Sequence, residues 1–542
     1  MTQAAGSPAA PELVEFGTAR GRWVILAAIL GSGIAFLDST VVNVALPHIG
    51  DDLGGGLSGL QWTLDGYLLT LSALLLLGGA LGDEYGRRRL FVFGLIWFTV
   101  ASVLCGIAPS IGTLIAARAL QGVGGAMLVP GSLSLITASF RSEDHGSAIG
   151  AWSGLTGAAT AIGPFLGGCL CGALLGSKLL AWLEAPSSFW KNSGEFTGWE
   201  NGKTIVGGLL GGWLVDSVSW RLVFLINVPL AAVALWVTMR HVPESHDPQA
   251  GKRPDFAGAA AATLGLTGVV FALIQGPAHG WSPFVVLAGL VGLAALVAFP
   301  FIEMRVTSPL VPLDIFRSRQ FRGANVTTFV VYAALGVALF LVVVELQTVL
   351  GYSALQAGTA TLPITVLMLF LSPRAGRLSQ RIGPRIPMTI GPLIVAAGLV
   401  LLAGIGPGTT YFTGILPGLV VFGLGLSLTV APLTAAVMGS VEENHVGVGS
   451  GVNNAVARVA SLLAVAVLPA LAGLETASAG VQFSDGVSRA LYISAALAVL
   501  GAINSWITIR SAARVETPTQ PLAVSCQDPC VRERQGEVDE AA

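Results

Sequence analysis

The sequence predicts an all-α integral membrane protein. Only 11% of its 542 residues are charged and 53% are hydrophobic, whereas a soluble domain carries about 25% charged residues. The apolar residues also form long blocks, and a block of roughly 20 such residues can cross a bilayer as a helix. Helices are expected because the hydrocarbon core offers no partners to an open backbone. The net charge of −2 gives no basis for binding nucleic acid.

Fourteen blocks qualify as membrane spans. The even number places both chain ends on the same side of the bilayer. The first block is too long for the core of a signal peptide, so it is expected to remain uncleaved. The predicted spans are 23–47, 61–82, 90–108, 112–137, 147–170, 220–239, 257–276, 282–302, 324–350, 356–373, 386–405, 411–438, 448–472 and 488–509.

Arginine is concentrated in the loops of one side, which we call the arginine-rich face. Because Lys and Arg are retained in the cytoplasm, this face and both termini are predicted to be cytoplasmic. The loops of the opposite face carry only Lys178, Lys191 and Lys203. The loops of the arginine-rich face carry Arg20, Arg22, Arg87, Arg88, Arg89, Arg141, Arg240, Lys252, Arg253, Arg305, Arg317, Arg319, Arg322, Arg374, Arg377, Arg381, Arg385, Arg510 and Arg514.

One loop motif occurs twice. "GALGDEYGRRR" begins at Gly79 and recurs in outline as "GRLSQRIGPRI" from Gly376, so that Gly86 matches Gly383. If spans 7 and 8 are a connector, both copies join the second and third helices of a six-helix bundle. Internal repeats of this kind are typical of transporters.

Further motifs make the chain resemble the major facilitator superfamily, and within it the fourteen-span drug:proton antiporters. The loop motif "GALGDEYGRRR" resembles the cytoplasmic signature of the superfamily, and the further motifs lie in order at matching spans. The resemblance implies two six-helix bundles around a central cavity, a two-span connector, and export driven by inward proton flow. The motifs are "LDSTVVNVALP" (Leu37 to Pro47), "RALQGVGGA" (Arg118 to Ala126), "GPFLGG" (Gly163 to Gly168), "WRLVFLINVP" (Trp220 to Pro229) and "VLGYSALQAG" (Val349 to Gly358).

The same pattern divides the chain into parts. Residues 169–212 interrupt the motif order and end in "GGLLGG", a near-copy of "GPFLGG". We expect this insert to form a hairpin on or partly in the outer leaflet, or to be a product of recombination. The predicted parts are an N-terminal tail (1–22), an N-terminal bundle (23–240, with the insert), a connector (241–321), a C-terminal bundle (322–510) and a disordered C-terminal tail (511–542).

Three ionisable residues inside predicted spans are candidates for proton coupling, because such groups are costly in a bilayer. Asp38 either forms a helix hydrogen bond with Thr40 or Asn43, or makes a proton-linked contact in the cavity. Arg118 stays charged and can lower the pKa of a nearby carboxylate. The resemblance ties the matching arginine to proton transfer, and the alternative is a structural arginine bound to backbone carbonyls.

The third candidate, Glu345, lies beside Gln347 in an apolar run. It either takes part in coupling, with Arg458 as a possible partner, or meets water near the outer end of its span.

Asp65 lies early in the second span, where a structural role is expected.

Two glycine-containing motifs are also candidates. Gly79, Asp83, Gly86, Arg87 and Arg88 form a predicted cytoplasmic latch, in which Asp83 accepts hydrogen bonds from a helix N-terminus or an arginine of the other bundle. The alternative is a loop that only fixes membrane orientation. In the second motif, small residues allow close helix packing and a proline bends the helix. The resemblance implies an antiporter-type bend there, formed by Gly163, Pro164, Gly167 and Gly168.

The predicted function is proton-coupled export of small hydrophobic or amphipathic compounds, such as drugs, by a monomer in the cytoplasmic membrane. Neither a cofactor nor a metal is expected, since the five cysteines form no zinc or redox pattern. A dedicated exporter of one metabolite or self-made antibiotic is an alternative. A membrane enzyme or receptor is another, but the six histidines lie in loops or at span edges, and only the insert could supply a recognition domain.

Overall fold

The computed structural model describes residues 14–141, 144, 148, 219–245, 254–307, 309–441, 446–474 and 480–510, and these ranges are mainly helical. The α-helices are α1 (Ala19–Leu53), α2 (Gly56–Tyr85), α3 (Arg87–Gly106), α4 (Ile111–Ser139), α5 (Leu222–Leu225), α6 (Asn227–His241), α7 (Phe256–His279), α8 (Pro283–Glu303), α9 (Arg319–Thr348), α10 (Ala354–Ala360), α11 (Leu362–Ile382), α12 (Arg385–Leu402), α13 (Leu416–Met438), α14 (Val446–Leu471) and α15 (Val481–Thr508). A 3₁₀-helix (Leu313–Arg317) precedes α9 and a π-helix (Tyr411–Ile415) precedes α13.

Thirteen segments of the described chain are long and apolar enough to cross a membrane. Each coincides with one of the fourteen predicted spans, with α5 and α6 forming one span and α10 and α11 another. The remaining predicted span, 147–170, lies outside the described residues. So do the bend residues Gly163, Pro164, Gly167 and Gly168, and the insert 169–212.

The helices form two groups, and extensive contacts between its own helices hold each group together. In the N-terminal group, α4 packs against α1, α2 and α3, and α6 packs against α1 and α3. In the C-terminal group, α9 packs against α14 and α15, and α13 packs against α11 and α12. In both groups a glycine packs against a phenylalanine backbone between the third and fourth helices, but the glycine is on the fourth helix in the N-terminal group and on the third in the C-terminal group. A Cβ on Gly124 would lie 2.8 Å from the nitrogen of Phe98, and one on Gly398 would lie 2.5 Å from that of Phe422.

The repeated loop motif has the same geometry in both groups. Gly86 and Gly383 each follow the second helix of their group with positive φ, +110° and +83°, a conformation that glycine adopts at little cost. Gly79 and Gly376 face Pro130 of α4 and Ala431 of α13, and a Cβ would lie 3.6 and 3.8 Å from those residues. These are ordinary contact distances, so an alanine side chain would fit at either position in this structure.

The connector helices differ in how they are covered. Helix α7 packs against both α2 and α14, with the rings of Phe271 and Trp62 6.2 Å apart and with Val270 and Ile274 fully buried. Helix α8 packs mainly against α7 and exposes a large apolar surface, as expected for a helix that faces lipid. The connector thus bridges the two groups through α7.

Among the described residues, two side-chain hydrogen bonds also join the two groups near the face opposite the arginine-rich one. Gln347 at the end of α9 donates to the carbonyl of Val44 in α1 at 3.0 Å. Gln61 at the start of α2 donates to the carbonyl of Val465 in α14 at 2.9 Å. Toward the arginine-rich face, Leu76 of α2 lies against Gly451 of α14.

Candidate functional site

A network of buried polar side chains joins four helices of the N-terminal group. Its members are Asp38 (α1), Ser102 (α3), Arg118 and Gln121 (α4) and Asn227 (α6), and all five are fully buried. Arg118 forms an ion pair with Asp38 and donates to Gln121 Oε1 at 2.6 Å. Buried charges of this kind are tolerated only when they are paired and hydrogen-bonded.

Amide side chains complete the coordination of the Asp38 carboxylate. Gln121 Nε2 donates to Asp38 Oδ1 at 2.8 Å, and Asn227 Nδ2 donates to the same oxygen at 3.1 Å. Both amides also reach the hydroxyl of Ser102, at 2.8 and 3.2 Å. The carboxylate is therefore held by partners from other helices. The alternative of a local bond is not seen, since within the described residues no hydrogen bond joins Asp38 to Thr40 or Asn43. The Thr40 hydroxyl donates to the Phe36 carbonyl at 3.0 Å instead.

Arg118 combines both roles that the sequence left open. Its Nε donates to the backbone carbonyl of Thr63 at 3.0 Å, and its guanidinium pairs with Asp38. The guanidinium carbon lies 4.4 Å from the centre of the Tyr67 ring and 5.7 Å from that of Phe224. The charge of Arg118 is therefore flanked by two aromatic rings. The attraction between a desolvated cation and an aromatic face further stabilises the buried guanidinium.

Sequence reasoning missed three members of this network. Gln121 lies one helical turn after Arg118, on the same face of α4, and this spacing could have indicated it. Asn227 belongs to the motif "WRLVFLINVP", where a lone amide in an apolar run was a usable signal. Nothing in the sequence singled out Ser102 among the serines of the spans.

The motif "WRLVFLINVP" also stabilises the N-terminal group at the face opposite the arginine-rich one. Asp52 at the end of α1 accepts hydrogen bonds from Arg221 Nη1 at 2.7 Å and from Trp220 Nε1 at 2.9 Å. The guanidinium of Arg221 also stacks on the Trp220 ring, 4.3 Å from its centre. Residues at the start of the motif therefore anchor α1, and Asn227 near its end contacts Asp38.

Glu345 is buried in the C-terminal group, but the partner expected for it is wrong. Ser484 of α15 donates to Glu345 Oε1 at 2.5 Å, and within the described residues no ion pair joins Glu345 to Arg458. Arg458 instead places its guanidinium carbon 5.0 Å from the centre of the Phe36 ring in α1. Glu345 is 1% exposed, so it does not meet water near the end of its helix in this structure.

Asp65 is more unusual than its position in the sequence indicated. It is fully buried in α2, and neither of its carboxylate oxygens has a hydrogen-bond partner among the described residues. It lies one turn after Gln61, which contacts α14. An unpaired buried carboxylate is costly, so Asp65 joins the candidate site.

The loop at Gly86 is bound within the N-terminal group. Arg87 Nε is 2.7 Å from Asp83 Oδ1, whereas the sequence predicted a partner for Asp83 in the other bundle or at a helix N-terminus. The start of α3 is held by the segment after α6. The Arg87 amide donates to the carbonyl of Ser245 at 2.9 Å, and the Arg88 amide donates to Glu244 Oε1 at 3.1 Å. A Cβ on Gly86 would lie 2.8 Å from the same Glu244 oxygen.

One face of α1 remains accessible between the two groups. In the middle of this helix, Phe36, Ser39, Thr40 and Asn43 are the residues that are not buried, and their spacing places them on one side of the helix. Phe36 contacts Arg458 of the C-terminal group, so this side points into the space between the groups, which we call the central space.

Two helical groups with a central space between them are typical of secondary transporters. The comparisons agree, because the family model for the Major Facilitator Superfamily matches residues 28–190 and 196–465. The chain belongs to the Major Facilitator Superfamily, and it is a transporter rather than an enzyme.

Two curated bacterial relatives are similar to this protein over most of its length. "Multidrug resistance protein Stp" of Mycobacterium tuberculosis is 31% identical over 446 residues, which are 82% of this chain and 74% of that protein. "Probable actinorhodin transporter" of Streptomyces coelicolor is 33% identical over 494 residues, 88% of this chain and 78% of that protein. Among solved structures, the inward-open xylose transporter XylE from E. coli matches 91% of this chain and 97% of its own with a TM-score of 0.56, at 14% identity, and so shares the fold.

Proposed function

We propose that this protein is a proton-coupled antiporter that exports small hydrophobic or amphipathic compounds. The observation that carries the proposal is the buried contact between Asp38 and Arg118, where a group that can bind a proton is paired with one that stays charged. The names of the curated relatives support the efflux direction and the class of compound.

In this mechanism Asp38 carries the proton. When Asp38 is ionised, the pair with Arg118 and the bonds from Gln121 and Asn227 hold α1, α4 and α6 together. Protonation removes the negative charge and weakens each charge-assisted bond. The arrangement of the helices then changes, and the preference between outward-open and inward-open states changes with it. Opening of the face opposite the arginine-rich one requires the bond between Gln347 and Val44 to break.

The arginine distribution supports a location in the cytoplasmic membrane with both termini in the cytoplasm. Each chain contains both helical groups and its own central space. A monomer is therefore sufficient for alternating access, which is largely a rocking of one group against the other.

A dedicated exporter of one metabolite is the second candidate. It is favoured by the relative whose name assigns it a single compound, actinorhodin. The two candidates differ in substrate range, so a panel of chemically unrelated dyes separates them.

The test is dye uptake into inverted membrane vesicles that contain the protein. We expect uptake after an inside-acid gradient is imposed, and its loss when a protonophore is added. Vesicles with Arg118→Ala are the inactive control, and vesicles with Arg385→Gln, changed on the protein surface, are the active one. Uptake that is insensitive to the protonophore contradicts proton coupling, and uptake of only one compound of the panel favours the dedicated exporter.

A further inference from the structure

Arg458 presents a positive charge to the central space. It lies in α14, and its guanidinium carbon is 5.0 Å from the centre of the Phe36 ring, on the accessible face of α1. An aromatic ring attracts a cation but accepts no strong hydrogen bond, so the five N–H donors of the guanidinium still need other partners. None of them has a hydrogen-bond or ion-pair partner in the described part of the chain.

The acidic residues of the spans do not neutralise this charge. Asp38 is paired with Arg118 and Glu345 is bonded to Ser484. Among the described residues, no carboxylate forms an ion pair with Arg458. The predicted span 147–170, which lies outside the described residues, contains no Asp or Glu.

Aromatic side chains lie near the same charge. Tyr67 of α2 and Tyr332 of α9 lie within electrostatic reach of Arg458. Phe36 and Asn43 come from the accessible face of α1. Ligand sites in proteins combine an apolar and aromatic lining with a few polar groups that set orientation. Phe36, Asn43 and Tyr332 are not buried and offer such a lining, with Arg458 as its cation.

We infer that the central space binds flat aromatic compounds that carry a negative charge, such as a carboxylate or a phenolate. The anionic group accepts hydrogen bonds from the edge of the Arg458 guanidinium, a planar donor that suits carboxylate oxygens. The aromatic body of the compound packs against Phe36 and Tyr332. A cationic compound of the same shape is repelled by Arg458. This inference deepens the proposed export function, because it names the substrate class of that site.

The test measures equilibrium binding, so it does not depend on proton coupling. Purified protein in detergent is titrated into fluorescein, an anionic xanthene, and into rhodamine 6G, a cationic xanthene, with fluorescence anisotropy as the readout. In the unmodified protein we expect fluorescein to bind at least about tenfold more tightly, the effect of one charge-assisted hydrogen bond. This comparison needs no variant and therefore does not depend on how any variant folds.

Variants assign the preference to Arg458. Arg458→Gln should weaken fluorescein binding by about tenfold and leave rhodamine binding unchanged or tighter, while Arg458→Lys should keep most of the affinity for fluorescein. Arg385→Gln is the matched control, since Arg385 also stacks on an aromatic ring, 4.0 Å from the centre of Trp506, but lies on the surface. Equal binding of fluorescein by Arg458→Gln and the unmodified protein, a preference for rhodamine, or no binding of either dye overturns the inference. Failure of the gradient-driven uptake test instead contradicts the proposed function.

Discussion

Arg118 and Asp38 form a fully buried ion pair that joins the fourth helix of the N-terminal group to the first. This contact joins two motifs that are far apart in the chain, "LDSTVVNVALP" and "RALQGVGGA". Asn227, from the motif "WRLVFLINVP", also binds Asp38. A buried pair is often no more stabilising than a well-packed apolar contact, yet loss of one partner is costly. We therefore propose that this pair serves coupling rather than stability.

The first prediction concerns Arg118. Arg118→Ala leaves the Asp38 carboxylate buried without its cation, so we expect gradient-driven dye uptake to be abolished and the free energy of unfolding to fall by about 3–5 kcal/mol. Arg118→Lys keeps the charge but loses the bond geometry at Thr63 and Gln121, and should restore uptake only in part. Uptake and thermal unfolding in detergent are the measurements. Normal uptake by Arg118→Ala would remove Arg118 from the coupling mechanism.

The second prediction separates the two candidate proton carriers. Asp38→Asn should still bind substrate but fail to respond to a pH step, because an amide cannot take up the proton. Glu345→Gln is the matched comparison, since its amide oxygen can still accept the bond from Ser484. Substrate efflux from vesicles after a pH step is the readout. A response lost only in Glu345→Gln would make Glu345 the carrier, and a response kept in both variants would place the carrier elsewhere.

The third prediction concerns Asp65. Its carboxylate oxygens lack hydrogen-bond partners among the described residues, so Asp65→Asn removes a costly buried acid and loses no bond. We expect the free energy of unfolding to stay the same or rise by about 1–2 kcal/mol. Asp38→Asn, the same change at a buried but paired aspartate, should lower it. Thermal unfolding in detergent compares the two, and a large loss in Asp65→Asn would contradict the assignment of Asp65 as unpaired.

The fourth prediction concerns the loop at Gly86. Asp83 holds Arg87 beside Glu244 and Ser245, which fixes the end of α2. About two turns earlier in α2, Leu76 packs against Gly451 of α14. We propose that the loop acts as a latch on the arginine-rich face through this packing. Asp83→Asn should then shift the balance of states by about 1–3 kcal/mol.

Labelling of a single cysteine that faces the central space measures this shift. The cysteine is introduced at Thr40 and labelled from the arginine-rich side. We expect faster labelling and slower transport in Asp83→Asn. Because acidic residues contribute little to membrane orientation, unchanged labelling and transport would leave the loop as an orientation signal only.

The sequence by itself determined the membrane helices, their order and the internal repeat. Span length and hydropathy are local properties of the chain. In lipid, a helix also forms all its backbone hydrogen bonds within itself. For these reasons thirteen predicted spans coincide with helices of the structure. The match between Gly86 and Gly383 is also local, because a sharp turn after a helix favours positive φ and therefore glycine.

Only the tertiary structure decided which side chains meet. Helical periodicity shows that Gln121 shares a face with Arg118, but it does not show which helix lies opposite that face. Packing of α1, α4 and α6 gives Asp38 its partners, and the position of α14 across the central space gives Arg458 the ring of Phe36 instead of the carboxylate of Glu345. In lipid the apolar surface of one helix resembles that of another, so partner choice depends on close packing and a few buried polar contacts. Those contacts are long-range in the chain, and the sequence alone does not specify them.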